Sequence, residues 1–148
     1  MRFVIMYLAA LLITACGSGD VRDENFANLT DALQKGALHE GGWLPKFLPP
    51  SASDIKLRSN IDTNEIWVAF AWDGTERGAL ASQCQAIPAT AGLLPRRSPS
   101  WWPTDLAISG PSNAVPSTTE LLRCTDGGFV ALRSGEKRGY YWHSGKPG

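Results

Sequence analysis

The chain predicts an α+β domain: an antiparallel sheet of about five strands, two helices packed on one face, and a long Pro-rich loop. Three observations lead there. Residues 55–61 and 65–72 carry apolar residues with the period of strands, and two other stretches place them at helical spacing. Three further β-rich segments follow one another after residue 118 across short turns. Between the two groups, residues 88–118 hold six of the ten prolines and little periodicity, and loops of that length in compact domains are usually functional or disordered.

Taken in order, Asp23 can cap a helix whose Phe26, Leu29 and Leu33 recur at helical spacing, with Gly36 or the Gly41-Gly42 pair ending it. In Trp43-Leu44-Pro45-Lys46-Phe47-Leu48-Pro49-Pro50 three prolines deny regular hydrogen bonding while the aromatic and leucine side chains offer anchors, which predicts an ordered, packed loop. Residues 51–54 suit one helical turn. Ile55, Leu57, Ser59 and Ile61 then alternate with Lys56, Arg58 and Asn60, a strand with one wet face. Asp62-Thr63-Asn64 is turn chemistry, and no glycine follows to complete a calcium loop. The next strand has Ile66, Val68 and Phe70 on one side and Trp67, Ala69 and Ala71 on the other, so it should be central. After Asp73-Gly74, Thr75 can cap a second helix with Leu80, Cys84 and Ile87 at i, i+4 and i+7, ended by Pro88. Strands at 119–124, 128–133 and 139–143 should form a meander.

Ahead of this domain, Arg2 precedes an apolar core from Phe3 to Ile13, and small residues lead to Cys16. The pattern resembles the lipobox of bacterial lipoproteins. The apolar run is about a dozen residues where a spanning helix needs roughly 20, so it suits a signal peptide cut at Ala15/Cys16. An ordinary secretory signal that ends at a cysteine by chance is the competing explanation. The resemblance implies a signal at 1–15; the small, polar residues after Cys16 suit a lipidated tether at 16–24, and the remaining length suits a single domain at 25–148. The resemblance also implies a diacylated Cys16 with a third chain on its new amino group. Each buried methylene adds about 0.8 kcal/mol, so two or three chains hold a soluble domain on a bilayer durably. The domain would sit in the periplasm, its membrane partner reached through the anchor. Gly17 stands where an aspartate usually retains lipoproteins at the inner membrane, which favours the outer one.

With Cys16 lipidated, Cys84 and Cys124 remain, in a compartment that permits disulfides. They are expected to bridge, closing a loop of about 40 residues for which chain entropy gives roughly 4 kcal/mol; two buried free thiols are the alternative. From a helical Cys84 the bridge would clamp the second helix onto the sheet. No CxxC pattern or charged flank points to a reactive thiol.

A second resemblance covers residues 41–72. Gly42-Trp43-Leu44-Pro45, Leu48-Pro49-Pro50-Ser51-Ala52, Ile55, and Ile61-Asp62-Thr63-Asn64-Glu65 followed by Trp67 and Phe70 resemble small uncharacterised bacterial proteins of the YbbD head-domain kind. Such proteins are commonly lipid-anchored and lack an assigned activity, so the resemblance implies a domain and carries over no catalytic residue.

Fourteen basic against fourteen acidic side chains give no electrostatic case for nucleic acid. Within the long loop, Arg96-Arg97 and Trp101-Trp102 place two guanidinium groups near two indoles, a combination that grips anionic or sugar-bearing ligands by ion pairing and stacking. Tryptophans that merely anchor such a loop to the core are the competing explanation. The two histidines, His39 and His143, have no metal-ligand partner at HxxxH-type spacing, and neither a GxSxG elbow nor a phosphate-binding loop is present. No cofactor, metal or enzymatic activity is therefore expected. The expected protein is a lipid-anchored cell-envelope lipoprotein of unassigned activity, a non-catalytic binding or accessory domain with an envelope protein or glycan as partner. The alternative is a periplasmic immunity or inhibitor protein that plugs a toxin or lysozyme with an exposed loop.

Overall fold

The computed structural model describes residues 20–89, 94–95, 97–107 and 115–145. The signal, Cys16 and Arg96 lie outside the described residues. Seven antiparallel strands form one sheet in the order β1-β2-β3-β7-β6-β5-β4. They are β1 (Val21–Asn28), β2 (Ser53–Asn60), β3 (Glu65–Ala71), β4 (Cys84–Ile87), β5 (Glu120–Cys124), β6 (Phe129–Arg133) and β7 (Arg138–Ser144), with short helices α1 (Leu29–Gln34) and α2 (Leu80–Gln83). The antiparallel sheet and the terminal meander match expectation; the count of about five strands does not, because two expected helices give up residues to edge strands.

The first correction is at β1. Residues 21–28 pair with β2 from Val21 opposite Asn60 to Asn28 opposite Ser53, so the sheet begins inside the stretch assigned to a tether. Of the helical triplet, only Phe26 is buried; it packs opposite Ile55, and Asp23 gains a cross-strand ion pair with Arg58 at 2.5 Å. Tertiary pairing outweighs a weak helical period. The helix starts later, where Asn28 Oδ1 accepts the Asp31 N–H at 3.0 Å, a normal N-cap. From α1, Asp31 accepts the Ala27 N–H at 2.9 Å and Lys35 donates to the Asn25 carbonyl at 3.4 Å. These contacts occupy backbone groups on the free side of β1, one way of blunting an edge strand.

The second correction is at Cys84. The helix stops at Gln83 and Cys84–Ile87 is the opposite edge strand, paired with β5. Asp73, not Thr75, organises the preceding turn: its Oδ1 accepts the Thr75 and Glu76 N–H groups, each at 2.8 Å, and those bonds hold its carboxyl below the usual range. The Cys84–Cys124 disulfide is present, joining directly opposed residues with Cα atoms 3.9 Å apart. It therefore staples edge strand to neighbour rather than helix to sheet. Residues 51–54 form no helical turn either. Ser53 and Asp54 belong to β2, where an extra residue between Ser53 and Lys56 makes a bulge and Asp54 adopts φ 45°.

One face of the sheet carries Ile55, Leu57, Val68, Phe70, Leu122, Val130, Leu132 and Tyr141 into the first core. Both helices sit on this side through Ala32 and Leu80, but most of the cover is the proline-punctuated loop, through Leu44, Phe47, Leu48 and Ala52. Two glycines permit the packing. A Cβ on Gly139 would lie 2.2 Å from the Phe70 ring, and one on Gly128 would lie 2.5 Å from that of Tyr141.

Candidate functional site

The other sheet face is covered over half its width. Trp67, Leu121, Ala131 and Trp142 project from the strands to meet Leu94, Trp102, Leu106 and Val115 of the Pro-rich segment, forming a second core. Aromatic geometry dominates it. Trp102 packs edge-on against Tyr140 at 5.5 Å and Trp142 at 5.9 Å, and Phe129 stacks on Trp142 at 5.6 Å, pairs worth about 0.5–1.5 kcal/mol each beyond area burial. Polar contacts fix the irregular backbone: Trp102 Nε1 donates to the Leu106 carbonyl at 2.9 Å and Trp67 Nε1 to the Arg97 carbonyl at 3.0 Å. Arg133, only 7% exposed, reaches Asp105 at 2.6 Å and Thr119 Oγ1 at 3.3 Å. Its guanidinium also lies 5.7 Å from the Tyr140 ring centre.

Among the described residues the cover ends at Trp101, and the β1–β2 side of this face beyond it is polar and uncovered, with two adjoining depressions that share Lys56 and Trp101. One, of about 170 Å³, lies among Asp23, Asn25, Lys56 and Arg58. The second, of about 270 Å³, lies among Asp54, Lys56, Ala69, Arg138 and Tyr140. Register explains the groove. Lys56 stands opposite Ala69 and Ala69 opposite Tyr140, so the short alanine leaves a trough between a lysine and a tyrosine. The bulge in β2 turns Asp54 toward Arg138, which it pairs at 2.9 Å; re-aiming a side chain is a common use of bulges.

The charges are mostly matched. Arg58 donates Nε and Nη2 to the two oxygens of Asp23 at 2.7 and 2.5 Å, a bidentate pair, and the hydrogen bond from Arg58 holds the Asp23 carboxyl below its ordinary value. Lys56 has no hydrogen bond or ion pair among the described residues. Burial pushes the Tyr140 hydroxyl up from its ordinary value, so it stays protonated and able to donate. It too has no hydrogen-bond partner among the described residues.

Of the residues singled out in sequence, Trp101 and Trp102 separate: Trp102 is buried at 4% exposure, and Trp101 is half-buried at the groove wall, 6.0 Å from Trp102. Arg97 is exposed on the same segment. Sequence reasoning missed Asp54, Lys56, Arg138 and Tyr140. Lys56 was legible as the wet side of β2, but the other three converge only through strand register. The two histidines lie apart from the groove. His39 is exposed, and His143 Nε2 lies 3.3 Å from the Asp126 carbonyl oxygen, beside the bond from the Tyr141 hydroxyl to Asp126 at 3.0 Å that fastens the β5–β6 turn. Among the described residues there is no cluster of three His, Cys, Asp or Glu side chains able to hold a metal, and no helix long and apolar enough to cross a membrane.

The fold and groove define a seven-stranded antiparallel sheet domain with one face packed under the helices and proline-punctuated loop and the other half-covered. Residues 20–71 match the family model of the YbbD head domain. The match spans β1, α1, β2 and β3, extends the expected resemblance toward the N-terminus, and leaves β4–β7 and the Trp-rich cover outside it. No curated protein and no solved structure matches the chain.

Proposed function

We propose that the chain is a lipid-anchored lipoprotein of the bacterial cell envelope, its domain a non-catalytic binding or accessory module that works through the groove beside Trp101. The observation that carries this is Cys16 behind its apolar run, together with the disulfide, which uses Cys84 and Cys124 and leaves Cys16 as the odd cysteine of three. The groove supports a binding role: a few polar groups converge beside an aromatic wall, the usual make-up of a ligand site. Its ion pairs, Asp23–Arg58 and Asp54–Arg138, set polar atoms around that wall. β1 begins at Val21, so a lipid on Cys16 would keep the sheet close to the bilayer, and Gly17 favours the outer membrane.

Intact mass spectrometry of the membrane fraction from the native host, with and without reduction and beside a Cys16→Ser variant, tests this. The expected product starts at residue 16, carries acyl chains and is lighter by two hydrogens than its reduced form, while Cys16→Ser leaves the chain unlipidated. A soluble or uncleaved wild-type product would contradict the anchoring role.

A further inference from the structure

We infer that the groove beside Trp101 takes a glycan chain bearing carboxylate groups. This deepens the binding role proposed above and rests on it. A sugar ring has an apolar C–H face and a rim of hydroxyls, so its site needs a flat apolar wall with polar groups set around it. Trp101 supplies the wall. It leans on Trp102 at 6.0 Å and 53°, and Trp102 is itself locked by its bond to the Leu106 carbonyl, so little side-chain freedom remains to be lost on binding. Ala69 forms the floor. The row Asn25, Lys56, Ala69 and Tyr140 crosses four adjacent strands, about 14 Å at normal strand spacing, enough for a short oligosaccharide.

The polar rim selects the chemistry. Asp23–Arg58 and Asp54–Arg138 are compensated pairs that hold oxygens and N–H groups in fixed positions for hydroxyls. Glu24 lines the first depression but stands opposite Leu57 of the first core, so its carboxylate belongs to the other face. The charge left over in the groove is Lys56, with the Tyr140 hydroxyl next to it across Ala69. A free ammonium and a free phenol around an indole wall match a carboxylate carried on a sugar better than a neutral chain. The depression beside Trp43 has an indole with Arg22 and Lys35, but the Glu24 carboxylate lines it too, Lys35 is paired with Asp31, and no phenol borders it. The larger shelf along β4 is lined by Gln83, Gln85, Ile87 and Arg123 without an aromatic wall.

The test uses the full chain in detergent and two soluble probes of equal length. One is an alternating N-acetylglucosamine–N-acetylmuramic acid oligomer with free carboxylates; the other is a chitooligosaccharide, the same backbone without them. Titration followed by tryptophan fluorescence and calorimetry should give at least tenfold tighter binding of the carboxylated probe. Trp101→Ala should weaken both probes at least tenfold, and Lys56→Gln should erase the difference between them. Both variants should melt within a few degrees of the wild type, separating lost binding from lost fold. Equal affinity for the two probes, no binding of either, or binding untouched by these substitutions would overturn the inference. So would stronger Lys56-dependent binding of a phosphorylated glycan such as lipopolysaccharide. A lipidated protein indifferent to both probes removes this inference alone; an unlipidated protein that still binds removes the anchoring role alone.

Discussion

Across a single sheet face, the β5–β7 side and the β1–β2 side are built from opposite chemistry. The row Asp23, Arg58, Trp67, Trp142, Phe129 runs in register over five strands and changes from an ion pair to aromatic residues at β3, Phe129 stacking on Trp142. The described residues of the Pro-rich segment lie over the aromatic side and reach as far as Trp101, where the row becomes charged. Such a segment has no regular ladder of its own, so it can order only where side chains pay for the lost chain entropy. Trp102, Leu106 and the Arg133–Asp105 bond do so on one side; Lys56 and Arg58 could not on the other. The covered half is thus structural, and the border at Trp101 is where an exposed indole meets a polar floor.

That contrast can be broken from the covered side first. Trp102→Ala should cost about 3–5 kcal/mol, the usual range for a buried large aromatic, read as a lowered denaturation midpoint with loss of the near-ultraviolet aromatic signal. Removing the disulfide with Cys84→Ser and Cys124→Ser together should cost about 2–4 kcal/mol by the loop-closure argument and free the β4 edge, seen as faster amide exchange at residues 84–87. Arg133→Met should cost about 2 kcal/mol, because charge-assisted bonds to Asp105 and Thr119 are lost while Asp105, 46% exposed, returns to water. Proteolysis within the 97–107 segment should then speed up.

On the open side effects should be smaller. Trp101→Ala should cost about 1 kcal/mol or less, close to the range of surface substitutions. The smallest effect is a pH slope at the sheet margin. A hydrogen bond from Arg77 holds the Glu120 carboxyl below its model-peptide value of 4.5, so its contribution is full above that pH and is lost as the pH falls toward the depressed folded value. Both partners are more than a third exposed, and the pair is screened by solvent. Glu120→Gln should lower the melting midpoint slightly near pH 7 and leave it unchanged in acid below the folded value, so the acid limb of the midpoint-against-pH profile flattens from its neutral end.

The two apolar strands, the terminal meander and the cysteine pairing were legible because they rest on local signals: alternation at Ile55 and Leu57, apolar faces on both sides of Trp67 and Val68, turn residues at Asp126-Gly127, and a spare pair of cysteines. The edge strands were not. β1 has one buried residue, and Cys84 and Ile87 of β4 continue from Leu80 of α2 at a helical interval that the sheet overrides once β5 offers a free edge. Trp101 and Trp102 are neighbours of the same type, and nothing in their order says which is buried. That depends on Tyr140 and Trp142, which reach the spot from about 40 residues further along the chain. The groove was half visible, since Lys56 lies on a wet face in sequence, but Asp54, Arg138 and Tyr140 join it only by register.

Those adjacent tryptophans give the most direct test. Trp101→Ala and Trp102→Ala should be compared side by side for thermal stability and for binding of the carboxylated oligosaccharide. If the covered half is structural and its border binds, Trp102→Ala melts many degrees lower, whereas Trp101→Ala melts near the wild type and loses at least tenfold in affinity. Equal melting of the two variants, or wild-type affinity in Trp101→Ala, would contradict that division of labour.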